Sequence, residues 1–232
     1  MGERTTWRSA PLANRSTLPV VTHLRAIGFF FLVAGLVSSR VEAATVGLEA
    51  FASFSTHSML AWNDDLELAN ANGGRFEPLD HSFGYGVGGR FWFSHQWMMR
   101  VIWEPLFLES SDPPTGRKLV FDAGTIQLDL AGFLPGRDRG RYGLGMGIGH
   151  YSLHGRREYA GVQNAELSGD TFGVQVQGLG EWALNPTLSV TAAAGFRVAT
   201  ISDTQVNGVS PSSKLETDYS GFIARLGLLF AR

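Results

Sequence analysis

The sequence predicts an all-β chain: an eight-stranded antiparallel up-and-down transmembrane β-barrel with a short helix in its first external loop. Three observations predict it. Eight segments alternate bulky apolar with small or polar side chains at a period of two, as strands with unlike faces do. Their connections alternate long and short, as in a barrel with loops at one rim and tight turns at the other. The segments follow an N-terminus that reads as a secretory leader.

The leader comes first. Arg4, Arg8, Arg15 and Arg25 form a basic region, and Ala26–Val37 is an apolar core of twelve residues. That is short of the ~20 residues a spanning helix needs. Val41 and Ala43 supply small residues at the −3 and −1 positions, so cleavage is expected before Ala44. The expected organisation is a signal peptide over 1–43 and a barrel over 44–232. The mature chain carries 14 basic against 19 acidic residues, a net charge of −5, which argues against nucleic-acid binding. The absence of cysteine excludes disulfides, thiolate metal sites and a lipid-anchor cysteine. No metal site and no cofactor are expected.

The strands follow in order. Thr45–Ser55 places Val46, Leu48, Ala50, Ala52 and Phe54 on one face. Ser82–Ser94 does so with Phe83, Tyr85, Val87, Phe91 and Phe93, and a third strand from Trp97 to about Leu108 with Trp97, Met99, Val101 and Trp103. Leu119–Leu130 is the fourth, Tyr142–Leu153 the fifth, Thr171–Leu184 the sixth and Leu188–Ile201 the seventh. Asp218–Phe230 is the eighth, with Phe222, Ala224, Leu226, Leu228 and Phe230 aligned. Each meets the ~9–11 residues a tilted membrane strand requires. Long connections are expected at 56–81, 109–118, 154–170 and 202–217, and tight ones at His95-Gln96 and Asn185–Thr187. The connection at 131–141, with Pro135-Gly136, is intermediate.

Alternation alone does not say which face points outward, because a soluble barrel alternates too. Composition decides. A solvated outer face is normally rich in Lys and Glu, yet the only lysines are Lys118 and Lys214, both in or beside loops. The less apolar face is Gly-, Ser-, Thr- and Gln-rich, which suits a crowded interior. Trp97, Tyr142, Trp182 and Phe230 fall near the turn ends, where an interfacial girdle sits.

Counting parity from the apolar face sends Glu49, Arg90, Arg100, Glu104, Asp129, Glu181, Arg197 and Arg225 inward. Four acids against four arginines point to ion pairing rather than to the single-sign field of a selective channel. The guanidinium fork suits bidentate carboxylate pairing in so narrow a space. The expectation is a filled, largely non-conducting core.

Other segments carry weaker signals. Ser58–Ala71 repeats Met59, Trp62, Leu66 and Ala69 at helical spacing before Gly73-Gly74, predicting a helix that is a lid, an amphipathic foot on the outer leaflet, or a loop packed on the rim. Gly84–Gly89 formally matches a dinucleotide fingerprint, but a strand follows it where that motif needs a helix. Arg117, Lys118, Arg156 and Arg157 suit lipopolysaccharide phosphates or are plain solvated loop charges, and Arg137, Arg139 and Arg141 read as solvated turn charges.

Taken as a whole, 44–232 resembles the small eight-stranded bacterial outer-membrane barrels, a class that includes the outer membrane protein A transmembrane domain, outer membrane protein W and the opacity-type surface proteins. Phe222, Leu226, Leu228 and Phe230 resemble the C-terminal signal read by the barrel-assembly machinery, with the aromatic third from the end. The resemblance implies a cell outer-membrane location, both termini in the periplasm, and outer-membrane lipid and lipopolysaccharide as partners. His150 and Ser152 resemble the His-x-Ser element of outer-membrane lipid A deacylases, with Glu158 or Glu166 to orient the histidine, although Leu153 stands where that family has asparagine. The leading functional expectation is a non-enzymatic barrel with an ion-paired interior and external loops, serving envelope integrity or surface interaction. A narrow channel for small or apolar solutes is the second reading. A lipid A-modifying hydrolase is the third.

Overall fold

A computed structural model describes residues 45–134, 140–159, 161–210 and 215–231. The leader, Pro135–Arg139 and Lys214 lie outside the described residues. The wall consists of β1 (Thr45–Thr56), β2 (His81–Trp92), β3 (Trp97–Asp112), β4 (Arg117–Phe133), β5 (Gly140–Tyr159), β6 (Val162–Ala183), β7 (Leu188–Val198) and β11 (Gly221–Ala231). Pairing runs β5-β4-β3-β2-β1-β11-β7-β6, and β6 returns to β5, so the sheet closes on itself. Every ladder between wall strands is antiparallel. Closure gives every wall strand a hydrogen-bonded neighbour on both sides. The short strands β8 (Thr200–Ile201), β9 (Gln205–Val206) and β10 (Thr217–Asp218) organise the connection between β7 and β11.

Two connections expected to be long loops are strand instead. β3 and β4 pair out to Asp112↔Arg117, leaving a four-residue turn with Gly116 at φ 66°. β5 and β6 continue as a ladder to Tyr159↔Val162 through a bulge at Arg157/Glu158. Beyond the apolar band both faces of a hairpin carry polar side chains. The period-two signal then fades while the backbone ladder goes on.

The two faces differ as parity predicts. Leu144 and Phe172 are 73% and 77% exposed on the outside, whereas Ile102 and Tyr151 are 0% exposed inside. Aromatic pairs mark both ends of the outer band. Tyr142 meets Trp182 edge-on at 5.6 Å near the tight turns, and Phe196 meets Phe222 at 5.8 Å toward the loops. Gly86 and Gly147 are small because the interior is full: a Cβ at either would overlap the Phe51 ring or the Asp129 carboxylate.

Helix α1 (Leu60–Ala71) begins two residues later than expected. It is the lid of the three alternatives. Trp62 and Leu66 turn into the loop-end mouth and join Leu106, Phe121, Tyr151 and Leu153 in one apolar cluster. The Trp62 ring stacks edge-on against Phe121 at 4.9 Å, and its Nε1–H donates to Thr217 Oγ1 at 2.9 Å. The opposite helix face, with Leu60 70% exposed, stays outside. Asn63 and Asn70 hold the returning chain by accepting from the Leu79 and Phe76 backbone N–H groups, each at 2.7 Å. A second apolar cluster, including Trp92, Met98, Phe133, Leu179 and Leu229, fills the turn end.

Candidate functional site

Between these two apolar layers lies a polar one. The inward parity of seven strands brings Glu49, Arg90, Arg100, Glu104, Asp129, Glu181, Arg197 and Arg225 into the interior, all buried. Seven of the eight engage one another. Arg90 grips Glu49 with two nitrogens, Nε donating to Oε2 at 2.9 Å, and reaches Glu181 at 3.2 Å. Arg100 donates twice to Asp129 Oδ2, at 3.1 and 2.7 Å, and approaches Glu49 at 3.5 Å. Asp129 also accepts from Gln175 at 2.6 Å and Gln177 at 2.8 Å. Thr191 donates to Glu49 at 2.6 Å. Arg225 donates to Glu104 at 2.6 Å and to Gln127 at 2.9 Å. These contacts satisfy the carboxylates from several directions, as charges held out of water require.

Two arginines depart from the expected arrangement. Arg141 is no free turn charge. Its Nη2 donates to Glu181 at 2.8 Å, and its guanidinium lies over Phe133 and Trp92 at 4.9 and 5.1 Å. It therefore supplies the fourth cation of the paired set. Arg197 is the exception on the other side: no carboxylate of the described residues lies within ion-pair distance of it. Its Nε donates to the Tyr219 carbonyl at 2.9 Å, and Nη2 faces His57 Nδ1 at 3.5 Å.

His57 lies just past the end of β1. A guanidinium only donates, so Nδ1 accepts and Nε2 carries the hydrogen toward Ser82 Oγ at 2.9 Å. Burial, reinforced by the Arg197 charge, pushes this imidazole down to about 3. In the unfolded chain it protonates near its ordinary value of ~6.5. The unfolded chain thus binds the extra proton between those values. The His57 contribution is complete above pH 6.5 and is lost as pH falls toward 3. Urea midpoints of the folded barrel are expected to fall between pH 7 and pH 5. The slope is at most about 1.4 kcal/mol per pH unit, and a flatter profile is expected in His57→Gln. An unchanged slope in that variant would assign the effect to other groups.

At the loop end a cleft of about 510 Å³ separates α1 from β4, β5 and β6. Its floor includes Trp62, Leu66 and Phe76, and Arg117, Lys118 and Arg157 stand around it. These cations, read from sequence as loop charges, lie on strands. Lys118 pairs with Glu109 at 2.8 Å, and Arg157 lies over the Trp62 ring at 5.3 Å. Arg156 points to the outer face and bonds Asp122 at 3.1 Å and Glu158 at 2.5 Å.

The closed wall of eight antiparallel strands, apolar outside and polar within, decides the class of fold. The fold is that of the small eight-stranded outer-membrane barrels. No protein-family model matches the sequence, and no curated protein matches it by sequence. Solved structures of this class do match in shape. The neisserial surface protein A is 13% identical with a TM-score of 0.51, over 82% of this chain and 99% of that one. OprG from Pseudomonas aeruginosa is 14% identical with a TM-score of 0.51, over 83% and 97%. A major outer membrane protein from Thermus thermophilus is 14% identical with a TM-score of 0.54, over 82% and 100%. At such identities the likeness is one of fold.

The hydrolase candidates of this small barrel do not assemble. His150 and Ser152 share the outer face of β5. The acid beside His150 is Asp170, at 3.5 Å, while Ser152 Oγ donates to the Gly124 carbonyl at 3.3 Å. Glu158 is taken by Arg156, and Glu166 lies across the ladder from Arg156. A nucleophile–base–acid chain needs each member to bond the next; among the described residues His150 has Asp170 beside it, but no bond joins it to Ser152, Glu158 or Glu166. Sequence reasoning put Gln175 and Gln177 on the interior face without assigning them to Asp129, and it missed Arg141 and Trp62 as the central lid residue. Arg141 shares the inward parity of the charges, which is the signal that finds it.

Proposed function

We propose that this chain is an integral outer-membrane barrel. In this reading it spans the bilayer with its apolar band, keeps its tight turns and both ends of the wall in the periplasm, and presents the α1 lid and the long hairpins outside. It acts as a closed structural and display element, not as a pore. The carrying observation is that the interior is filled at three successive levels: the apolar layer at the turns, the ion-paired layer, and the apolar cluster capped by Trp62. An eight-stranded barrel is barely wide enough for its own side chains, and here those side chains also bind one another. Lipopolysaccharide phosphates suit Arg117, Lys118 and Arg157 at the cleft. The outward Phe222, Leu226, Leu228 and Phe230 suit the barrel-assembly machinery during biogenesis.

The test is electrical. Residues 44–232, refolded into planar bilayers and shown to be folded by heat-modifiable gel migration, are expected to carry no current. Discrete, reproducible conductance steps from the folded form would replace this reading with that of a narrow channel.

A further inference from the structure

The interior arginines and carboxylates balance only if Arg197 is left out. Glu49, Glu104, Asp129 and Glu181 are matched by Arg90, Arg100, Arg141 and Arg225. Arg197 adds one positive charge above that layer, at 1% exposure. Among the described residues the other buried acid, Asp112, is engaged elsewhere, at the β3–β4 hairpin tip, where the Arg75 N–H at 3.1 Å and the Thr115 hydroxyl hold it. Glu104, bonded to Arg225, acts on Arg197 only from beyond ion-pair distance, and a buried charge with no carboxylate at bonding distance is unfavourable. The protein supplies Arg197 with a carbonyl, a neutral imidazole and the face of Tyr151 at 5.6 Å. None of these carries a negative charge.

The surroundings of Arg197 are rich in donors and poor in acceptors. Among the described residues its Nη1 has no hydrogen-bond partner, and neither do the buried hydroxyls of Tyr151 and Tyr219. The guanidinium lies 5.6 Å from the Tyr151 ring and bonds the Tyr219 carbonyl, and the Tyr219 ring packs on His57 at 5.8 Å, so both tyrosines stand beside it. Burial pushes the Tyr219 phenol up, so it stays a donor. The lid cluster contains both tyrosines and covers them. One guanidinium and two phenols in a low-dielectric enclosure form the donor set of a site for a small negative ion.

We propose that Arg197, Tyr151 and Tyr219 form a buried binding site for a small monovalent anion of the halide type, enclosed beneath the α1 lid. The ion neutralises the odd arginine and accepts from the three free donors. Exchange with solvent requires the Trp62 side of the lid to lift, so release is slow.

Chloride is the probe. Residues 44–232 in lipid nanodiscs are melted in chloride and in gluconate at equal ionic strength and with the same cation, gluconate being too large to enter. A ligand that binds the folded state alone raises the melting midpoint in proportion to the logarithm of its concentration once the site is saturated. The wild type is expected to show this rise in chloride only. Arg197→Gln is expected to abolish it. Tyr151→Phe, which keeps the charge and removes one donor, is expected to weaken apparent affinity about tenfold. Should Arg197→Gln not fold, Tyr151→Phe and Tyr219→Phe carry the comparison. Crystals grown in bromide are expected to show an anomalous peak within hydrogen-bond distance of Arg197 Nη1. Equal midpoints in the two salts, an unaltered chloride response in the variants, or no bromide at Arg197 would each overturn the proposal.

Discussion

Replacing Glu104 with alanine is expected to destabilise the folded barrel by about 3–5 kcal/mol, measured as the urea midpoint in lipid vesicles. The cost arises less from the lost attraction than from what is left behind. Arg225 is buried and keeps Gln127 at 2.9 Å and Gln177 at 3.3 Å, both neutral, while among the described residues Glu104 alone lies at ion-pair distance from it. The double variant Glu104→Leu/Arg225→Met removes both charges with similar volume and is expected to recover most of the loss. A penalty under about 1 kcal/mol for Glu104→Ala would be that of a solvated pair. It would mean that water reaches the interior and would weaken the closed-barrel reading.

The second large effect belongs to the lid. Trp62→Ala removes a fully buried indole that packs on Phe121 and bonds Thr217. Truncations of this kind cost about 3–5 kcal/mol. Here the loss falls on docking of the lid and not on the wall, whose ladders do not involve α1. Protease is therefore expected to cut between 57 and 80 in Trp62→Ala while the remainder keeps its heat-modifiable migration. Trp62→Phe retains most of the packing and loses the hydrogen bond, an effect of about 1 kcal/mol, so it should resist cleavage nearly as the wild type does. Equal resistance in both variants would show that α1 is held by its asparagine braces alone.

Much of this architecture is legible in one dimension because a membrane barrel makes every second residue choose between lipid and a crowded interior. That choice places Leu144 and Phe172 outside and Glu49 and Asp129 inside, and it reveals the wall strands where they cross the apolar band. It is silent where the band ends. The outer halves of β5 and β6 face water on one side and meet the lid cluster through a few residues such as Leu153 and Leu167 on the other, so the alternation no longer separates ladder from loop. Parity also assigns a direction without naming a partner. Arg197 and Arg225 both face inward, yet only Arg225 meets a carboxylate, because contact across a barrel depends on strand tilt and stagger. Arg141 sits beside a turn, where solvent is the default partner. Only the arrival of Glu181 from β6 and of Trp92 and Phe133 from β2 and β4 makes it part of the core.

The Glu49 carboxylate carries a consequence for how the chain acquires its shape. It accepts from Thr191, which is 142 residues away, and from Arg90 on the neighbouring strand, while Glu104 and Arg225 are 121 residues apart. Such contacts cannot form hairpin by hairpin. Local ladders such as β4–β5 and β5–β6 can arise early, because closing a short loop is fast. Until β11 reaches β1, however, Glu104 and Arg225 lack each other and Glu49 lacks Thr191, although Arg90–Glu49, Arg100–Asp129 and Arg141–Glu181 can already pair between neighbouring strands. Intermediates that leave Arg225 and Glu104 apart are thus disfavoured within the bilayer. The last seam and the Glu104–Arg225 contact should form in one concerted step.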